Sequence, residues 1–252
     1  MFNGKIIKAG MNAKTIKGDG SEFETAIFYG TPFKMFIEKA GKKLQVNSCA
    51  FADIAKCFEG CLYSAGRGKF SSVQKSRTDR TTLFYTDRDL FLALLVKDIE
   101  KFEVRCIKNN IKPCVRLNGT TDIQWEKIKI PKYDMNIFEI FPNVQFYDYT
   151  KIYKRDVSNI PNYHLTWSYS EANTNYANEY KTALNNGMNI AVVFRDKLPE
   201  TFLGLPVIDG DKDDLRFLDN KAVVVGLKAK GDAKKDTSGF VIDVNFTNAW
   251  GN

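Results

Sequence analysis

Asn189-Ile190-Ala191-Val192-Val193-Phe194 is an uncharged, β-branched run, followed at once by Arg195. Six such residues suit a strand buried on both faces, as in parallel sheets. Just upstream, Asn173 can cap a helix that carries Tyr176, Tyr180, Ala183 and Leu184 at helical spacing. Gly187 stands where a helix ends in the left-handed conformation. The unit is therefore helix, tight stop, buried strand. Working outward, Cys114-Val115-Arg116-Leu117, Val144 to Tyr147 and Tyr163 to Trp167 read as earlier strands. Pro206-Val207-Ile208 and Ala222 to Leu227 read as later ones. A helix is predicted from Thr86 and Asp87, with Phe91, Leu95, Ile99, Phe102 and Cys106 on its stripe and Pro113 closing it. A shorter helical segment, Met135 to Phe141, stops at Pro142.

Strands alternating with helices predict an α/β fold built on a parallel sheet. No dinucleotide-binding glycine fingerprint follows any strand, so the first expectation is a parallel-strand barrel, TIM-like and incomplete or distorted. A doubly wound open sheet is the alternative. No repeat or linker divides the chain, so residues 1–252 are expected to form one domain. Its cysteine-containing first part, about residues 1–82, reads as irregular and packed on the barrel.

Hydrophobic residues make up 44% of the chain and charged residues 27%, which fits a globular core. No run approaches the ~18 apolar residues of a membrane span, and Met1 to Lys8 lacks the apolar region of a secretory signal. These features point to a cytoplasmic protein, away from membranes, with its five cysteines as thiols or ligands. The net charge of +7 is uneven: residues 1–80 hold 14 Lys and Arg against 7 Asp and Glu, and the remainder holds 23 of each. A basic region of this kind attracts phosphates and lowers thiol pKa values, although a solvated basic face reads the same way.

Each strand runs into polar residues. Asn118 and Asp122 follow the first, Asp148 the second, Ser168 and Glu171 the third, Arg195 the fourth, Asp209 the fifth and Lys228 the sixth. In parallel α/β folds these ends share one rim, where ligands bind. Carboxylates, an amide, Arg and Lys there suit a polar or phosphate-bearing small molecule. His164, the single histidine, lies inside a strand and reads as structural.

Cys49, Cys57 and Cys61 are separated by seven and then three residues and followed by Gly66 and Gly68. Three thiolates can hold an iron–sulfur cluster, such as [4Fe–4S], with one iron left open. Zinc is the alternative, with Cys106 or Cys114 as a fourth ligand, and inert packed thiols are a third reading. Around them Lys56, Arg67, Lys69, Lys75, Arg77 and Arg80 interleave with Tyr63 and Phe70, a mixture suited to nucleic acid.

Several stretches resemble the gene product eighty-eight family, encoded mostly by bacteriophages and prophages. They include Cys61-Leu62-Tyr63-Ser64-Ala65-Gly66-Arg67-Gly68, Arg116-Leu117-Asn118-Gly119-Thr120, Phe146-Tyr147-Asp148-Tyr149-Thr150-Lys151 and Val207-Ile208-Asp209-Gly210-Asp211. The resemblance implies a viral protein working in a host cytoplasm and brings no reaction with it. A more distant likeness is to radical S-adenosylmethionine enzymes, which are similar in placing three cysteines ahead of a partial or full α/β barrel. That likeness implies a [4Fe–4S] cluster on Cys49, Cys57 and Cys61 with S-adenosylmethionine on its open iron. The cysteine spacing departs from that family's three-then-two pattern, and Gly60 stands where an aromatic precedes the last cysteine.

The expected functions are therefore an iron–sulfur enzyme, a nucleic-acid-binding protein without catalysis, or a zinc-stapled interaction protein.

Overall fold

The apolar runs become strands of one sheet in a computed structural model that describes residues 2, 4–10, 22–58, 60–61 and 66–244, the side chain of residue 67 excepted. In chain order, β1 (Ile7–Ala9), β2 (Phe23–Phe28), β3 (Lys34–Lys39) and β4 (Lys42–Asn47) precede helices α1 (Ser71–Thr86) and α2 (Arg88–Lys108). Then come β5 (Lys112–Arg116), β6 (Lys129–Ile130), β7 (Met135–Asn136), α3 (Ile137–Ile140), β8 (Gln145–Thr150) and β9 (Tyr163–Ser168). The remainder is α4 (Thr174–Asn178), α5 (Tyr180–Asn185), β10 (Asn189–Phe194), β11 (Thr201–Phe202), β12 (Leu205–Asp209), β13 (Val224–Lys228) and β14 (Val241–Ile242).

The main sheet has ten strands in the order β1-β2-β5-β8-β9-β10-β13-β12-β11, with β14 beside β10. From β2 through β12 every neighbour is parallel. The α/β class and the parallel sheet expected from the sequence hold, but the TIM-like barrel does not, because the sheet is not closed. The edge strands β1 and β11 pair antiparallel with β2 and β12, so no parallel partner joins the ends. The β8 to β9 connection also has no helix, so a full outer ring is missing.

From β2 to β10 the order advances in one direction, and right-handed crossovers then fall on a single face. Ala26, Phe28, Val115, Leu117, Phe146, Leu165, Trp167 and Ile190 point to that face and join Phe91, Leu95 and Ile99 of α2 in the main core. Burying each of those three α2 side chains stabilises by about 1.5–3 kcal/mol. Asp87 starts α2, its carboxylate accepting from the Leu90 amide at 3.1 Å. At β12–β13 the order reverses, and the same handedness rule sends the connecting residues 210–223 across the opposite face. There Leu215 and Phe217 pack on Cys114, Tyr147 and Phe23, and Asp214 pairs with the buried Arg116.

The first 82 residues are more regular than expected, since they contain β2, the β3–β4 ribbon and most of α1. Pro113 lies within β5 rather than closing the preceding helix, which runs to Lys108. No helix among the described residues is long and apolar enough to cross a membrane.

Candidate cysteine site at the C-terminal sheet edge

The chain leaves the C-terminal end of β2, turns through the β3–β4 ribbon and enters the cysteine segment before α1 begins. Asn47 Oδ1 accepts from the Cys49 amide at 2.9 Å, and a 3₁₀ turn over Ala50–Ala52 follows. Lys56 takes a left-handed backbone (φ 48°) immediately before Cys57. The segment is clasped to the sheet by Ser170, beyond the end of β9, whose hydroxyl donates to the Ala55 carbonyl at 2.8 Å. A Cβ on Gly60 would stand 3.1 Å from the Phe240 ring and 3.2 Å from Ala233, so the last part of the chain packs closely there.

Cys57 and Cys61, on or beside this segment, lie within electrostatic reach of Cys49. Burial pushes the Cys49 thiol above its ordinary pKa, and the charges of Asp122, Cys57 and Cys61 push it further, while Lys151 pulls it down. Cys57 is buried, and Cys49 and Cys61 are half-buried. Among the described residues no group of three or more His, Cys, Asp or Glu side chains is placed to hold a metal ion. Lys151, at the end of β8, is 9% exposed; its Nζ donates to Ser168 Oγ at 2.9 Å and lies 5.0 Å from the Phe240 ring centroid. Tyr176 Oη sits 2.8 Å from the Ser168 carbonyl and 3.1 Å from that of Lys151. Cys57 and Cys49 raise its pKa, after burial and Asp122.

The other predicted rim residues divide into groups. Asp122 is buried, accepting from Thr150 Oγ1 at 2.8 Å, the Lys151 amide at 2.8 Å and Arg155 Nη1 at 3.2 Å. Burial raises its pKa, and Arg155 opposes the rise. Asn118 Oδ1 accepts from Thr121, the Ile123 amide and the Trp125 indole, so its amide knots the loop after β5. Asp148 accepts from the Asn118 amide at 2.9 Å and the Leu117 amide at 3.2 Å, and burial holds its pKa up to about 7. Asp122 lies within electrostatic reach of Cys49, and internal hydrogen bonds occupy all three groups.

The remaining rim residues stand apart from this group. Glu171 bonds with Tyr169 Oη at 3.2 Å. Arg195 secures the late segment through Asp243 (3.0 Å) and the carbonyls of Lys234 and Asp236. Asp209 is exposed and accepts the Asp211 amide; the exposed Lys228 donates its own amide to Asp211.

The predicted basic face changes most. Arg77 and Arg80 are each 6% exposed: Arg77 lies over the Tyr29 ring, and Arg80 donates to the Tyr29 carbonyl at 3.1 Å. Both therefore serve α1 packing and are not free to meet a phosphate. Lys69 approaches Asp232 at 3.8 Å and Lys75 pairs with Asp79 at 2.8 Å. The side chain of Arg67, and Tyr63, lie outside the described residues.

Sequence reading missed Arg155, which is fully buried between Asp122, Glu126 (2.6 Å) and Tyr163 Oη (2.9 Å). Beside Lys154 it looks like an ordinary surface arginine, and nothing local marks it. Lys151 was legible only as one more polar strand end.

Residues 5–244 match the family described as Gene product 88. The chain belongs to that family. No curated protein and no solved structure matches it. Within this gene product 88 protein, the matched region takes in the cysteine segment, the whole main sheet and the strap over its second face.

Proposed function

We propose that Cys49, Cys57 and Cys61 hold an iron–sulfur cluster and that the protein is an iron–sulfur enzyme acting on a polar or phosphate-bearing substrate at this sheet edge. The observation that supports the reading is a loop, between the first parallel strand and the first helix, whose thiols Cys57 and Cys61 lie within electrostatic reach of Cys49, as does the buried Lys151. The donor set also fits in charge, because Lys151 offsets the negative charge that thiolate ligation concentrates.

When bound, a cluster on three cysteines supplies one-electron chemistry and one iron open to a further ligand, with S-adenosylmethionine as the candidate. The residues of the chain have separate tasks. Ser170 fixes the cysteine loop to β9, Tyr176 and Phe240 keep water from its inner side, and Lys151 presents a cation toward whatever binds beside Cys49.

Anaerobic purification with metal analysis tests the reading. The expected protein is brown, with a broad visible charge-transfer band and several irons per chain. A colourless protein without iron, even after anaerobic reconstitution, would overturn it, and zinc alone at one per chain would replace it with a stapled structural site.

A further inference from the structure

The β3–β4 ribbon stands outside the main sheet, and strand alternation gives it two faces. Met35, Ile37 and Lys39 turn toward α1: Ile37 is buried, and Lys39 Nζ donates to the Tyr85 carbonyl at 2.9 Å. The opposite face carries Lys34, Phe36 and Glu38, with Lys43 and Gln45 across from them in register, and these five are exposed. Phe36 is 60% exposed, and Lys43 Nζ stands 4.6 Å from its ring centroid. This face adjoins the cysteine loop, because Lys34 pairs with Asp53 at 3.0 Å. On that loop Phe58 packs against Phe33 with ring centroids 4.1 Å apart and is itself 56% exposed. Among the described residues the phenylalanines more than half exposed are Phe36, Phe58 and Phe70, all from the part of the chain with surplus positive charge.

An open aromatic ring costs free energy in water unless something covers it, and rings beside lysines match one class of polymer well. Single-stranded nucleic acid offers planar bases to stack on Phe and phosphates for Lys to neutralise. A duplex hides its base faces, and an acidic peptide has few planar groups to stack.

We propose that single-stranded nucleic acid lies across the free face of the β3–β4 ribbon. Its bases stack on Phe36, and its phosphates meet Lys43. This deepens the reading of the cysteine site and rests on it, since the ribbon leads directly into Cys49: the strand is the polymer presented to that site.

Fluorescence anisotropy of the full chain with labelled oligothymidine and oligouridine of about 20 nucleotides, long enough for several stacking positions, tests the proposal at low salt. Both should bind, or one in preference to the other, and either should exceed a duplex of equal length. Phe36→Ala, at an exposed ring where folding is not at stake, should weaken binding about tenfold, the scale of one lost stacking contact. Lys43→Gln should weaken it as well and make the salt dependence shallower by about 0.7 in log–log slope, the value of one phosphate contact on a single strand. Absence of single-strand binding, unchanged affinity in Phe36→Ala, or equal binding to duplex would overturn the proposal. So would Phe36-dependent binding to phosphatidylserine vesicles with none to oligonucleotides. Iron content is measured on the same preparation, so the two readings fail separately: oligonucleotide binding without iron removes the cluster, and iron without oligonucleotide binding removes the strand.

Discussion

His164 shows how burial sets the behaviour of one side chain. It lies on the second face of β9, its Nε2 has no hydrogen-bond partner among the described residues, and burial, then Arg216 and Lys221, push its pKa down to about 4. The folded protein therefore binds fewer protons than the unfolded chain between pH ~6.5 and ~4. Its contribution to stability is complete above that window and is lost as pH falls through it. Asp148, held up to about 7 by burial, acts with the opposite sign: stability rises as pH falls from about 7 toward 4. His164→Gln removes only the first effect. In urea unfolding, the advantage of wild type over this variant should shrink by about 2 kcal/mol between pH ~7 and ~4.5. A difference that stays constant with pH would mean that His164 titrates normally in the fold.

At the scale of elements, Ser170 is the buried side chain that ties the cysteine loop to the end of β9. Ser170 is fully buried, donates to the Ala55 carbonyl and accepts from the Ala172 amide at 3.2 Å. Ser170→Ala should destabilise by roughly 1–3 kcal/mol, the range for a buried group left unpaired, and should lower iron retention on gel filtration. Unchanged retention would place the loop's support elsewhere.

What could be read in advance follows from how each element buries its side chains. α2 was legible because its inward face is Phe91, Leu95, Ile99 and Phe102, apolar at helical spacing. α1 was not, because its inward face includes Arg77, Arg80 and Thr81 and has no apolar period. β10 was plain as an apolar run, and the ribbon was hidden because most of its residues face water. The cysteine trio was visible as spacing. The knot of Asp122, Arg155, Glu126 and Tyr163 was not, since it joins Arg155 to carboxylates 29 and 33 positions away whose charges look like surface charges until the chain folds.

For the whole molecule, the strap over residues 210–223 decides whether the second sheet face is sealed. Gly210 has no room for a side chain, with Val225 Cγ1 2.4 Å from where a Cβ would stand. Asp214 pairs with Arg116, whose guanidinium also lies 5.5 and 5.2 Å from the rings of Tyr147 and Tyr149. Asp214→Ala leaves a buried arginine without its carboxylate, and a loss of about 3–5 kcal/mol is expected, seen as an earlier urea midpoint. A loss below about 1 kcal/mol, the scale of a surface ion pair, would show that the strap is not part of the cooperative fold.

The cysteine site is the central claim, and the most direct measurement is iron per chain in five anaerobically purified single variants. Cys49→Ala, Cys57→Ala and Cys61→Ala should each lose the iron and the visible band. Cys106→Ala and Cys114→Ala, whose thiols are buried away from the loop, should keep both. Iron retained in the first three, or lost equally in all five, would contradict the account.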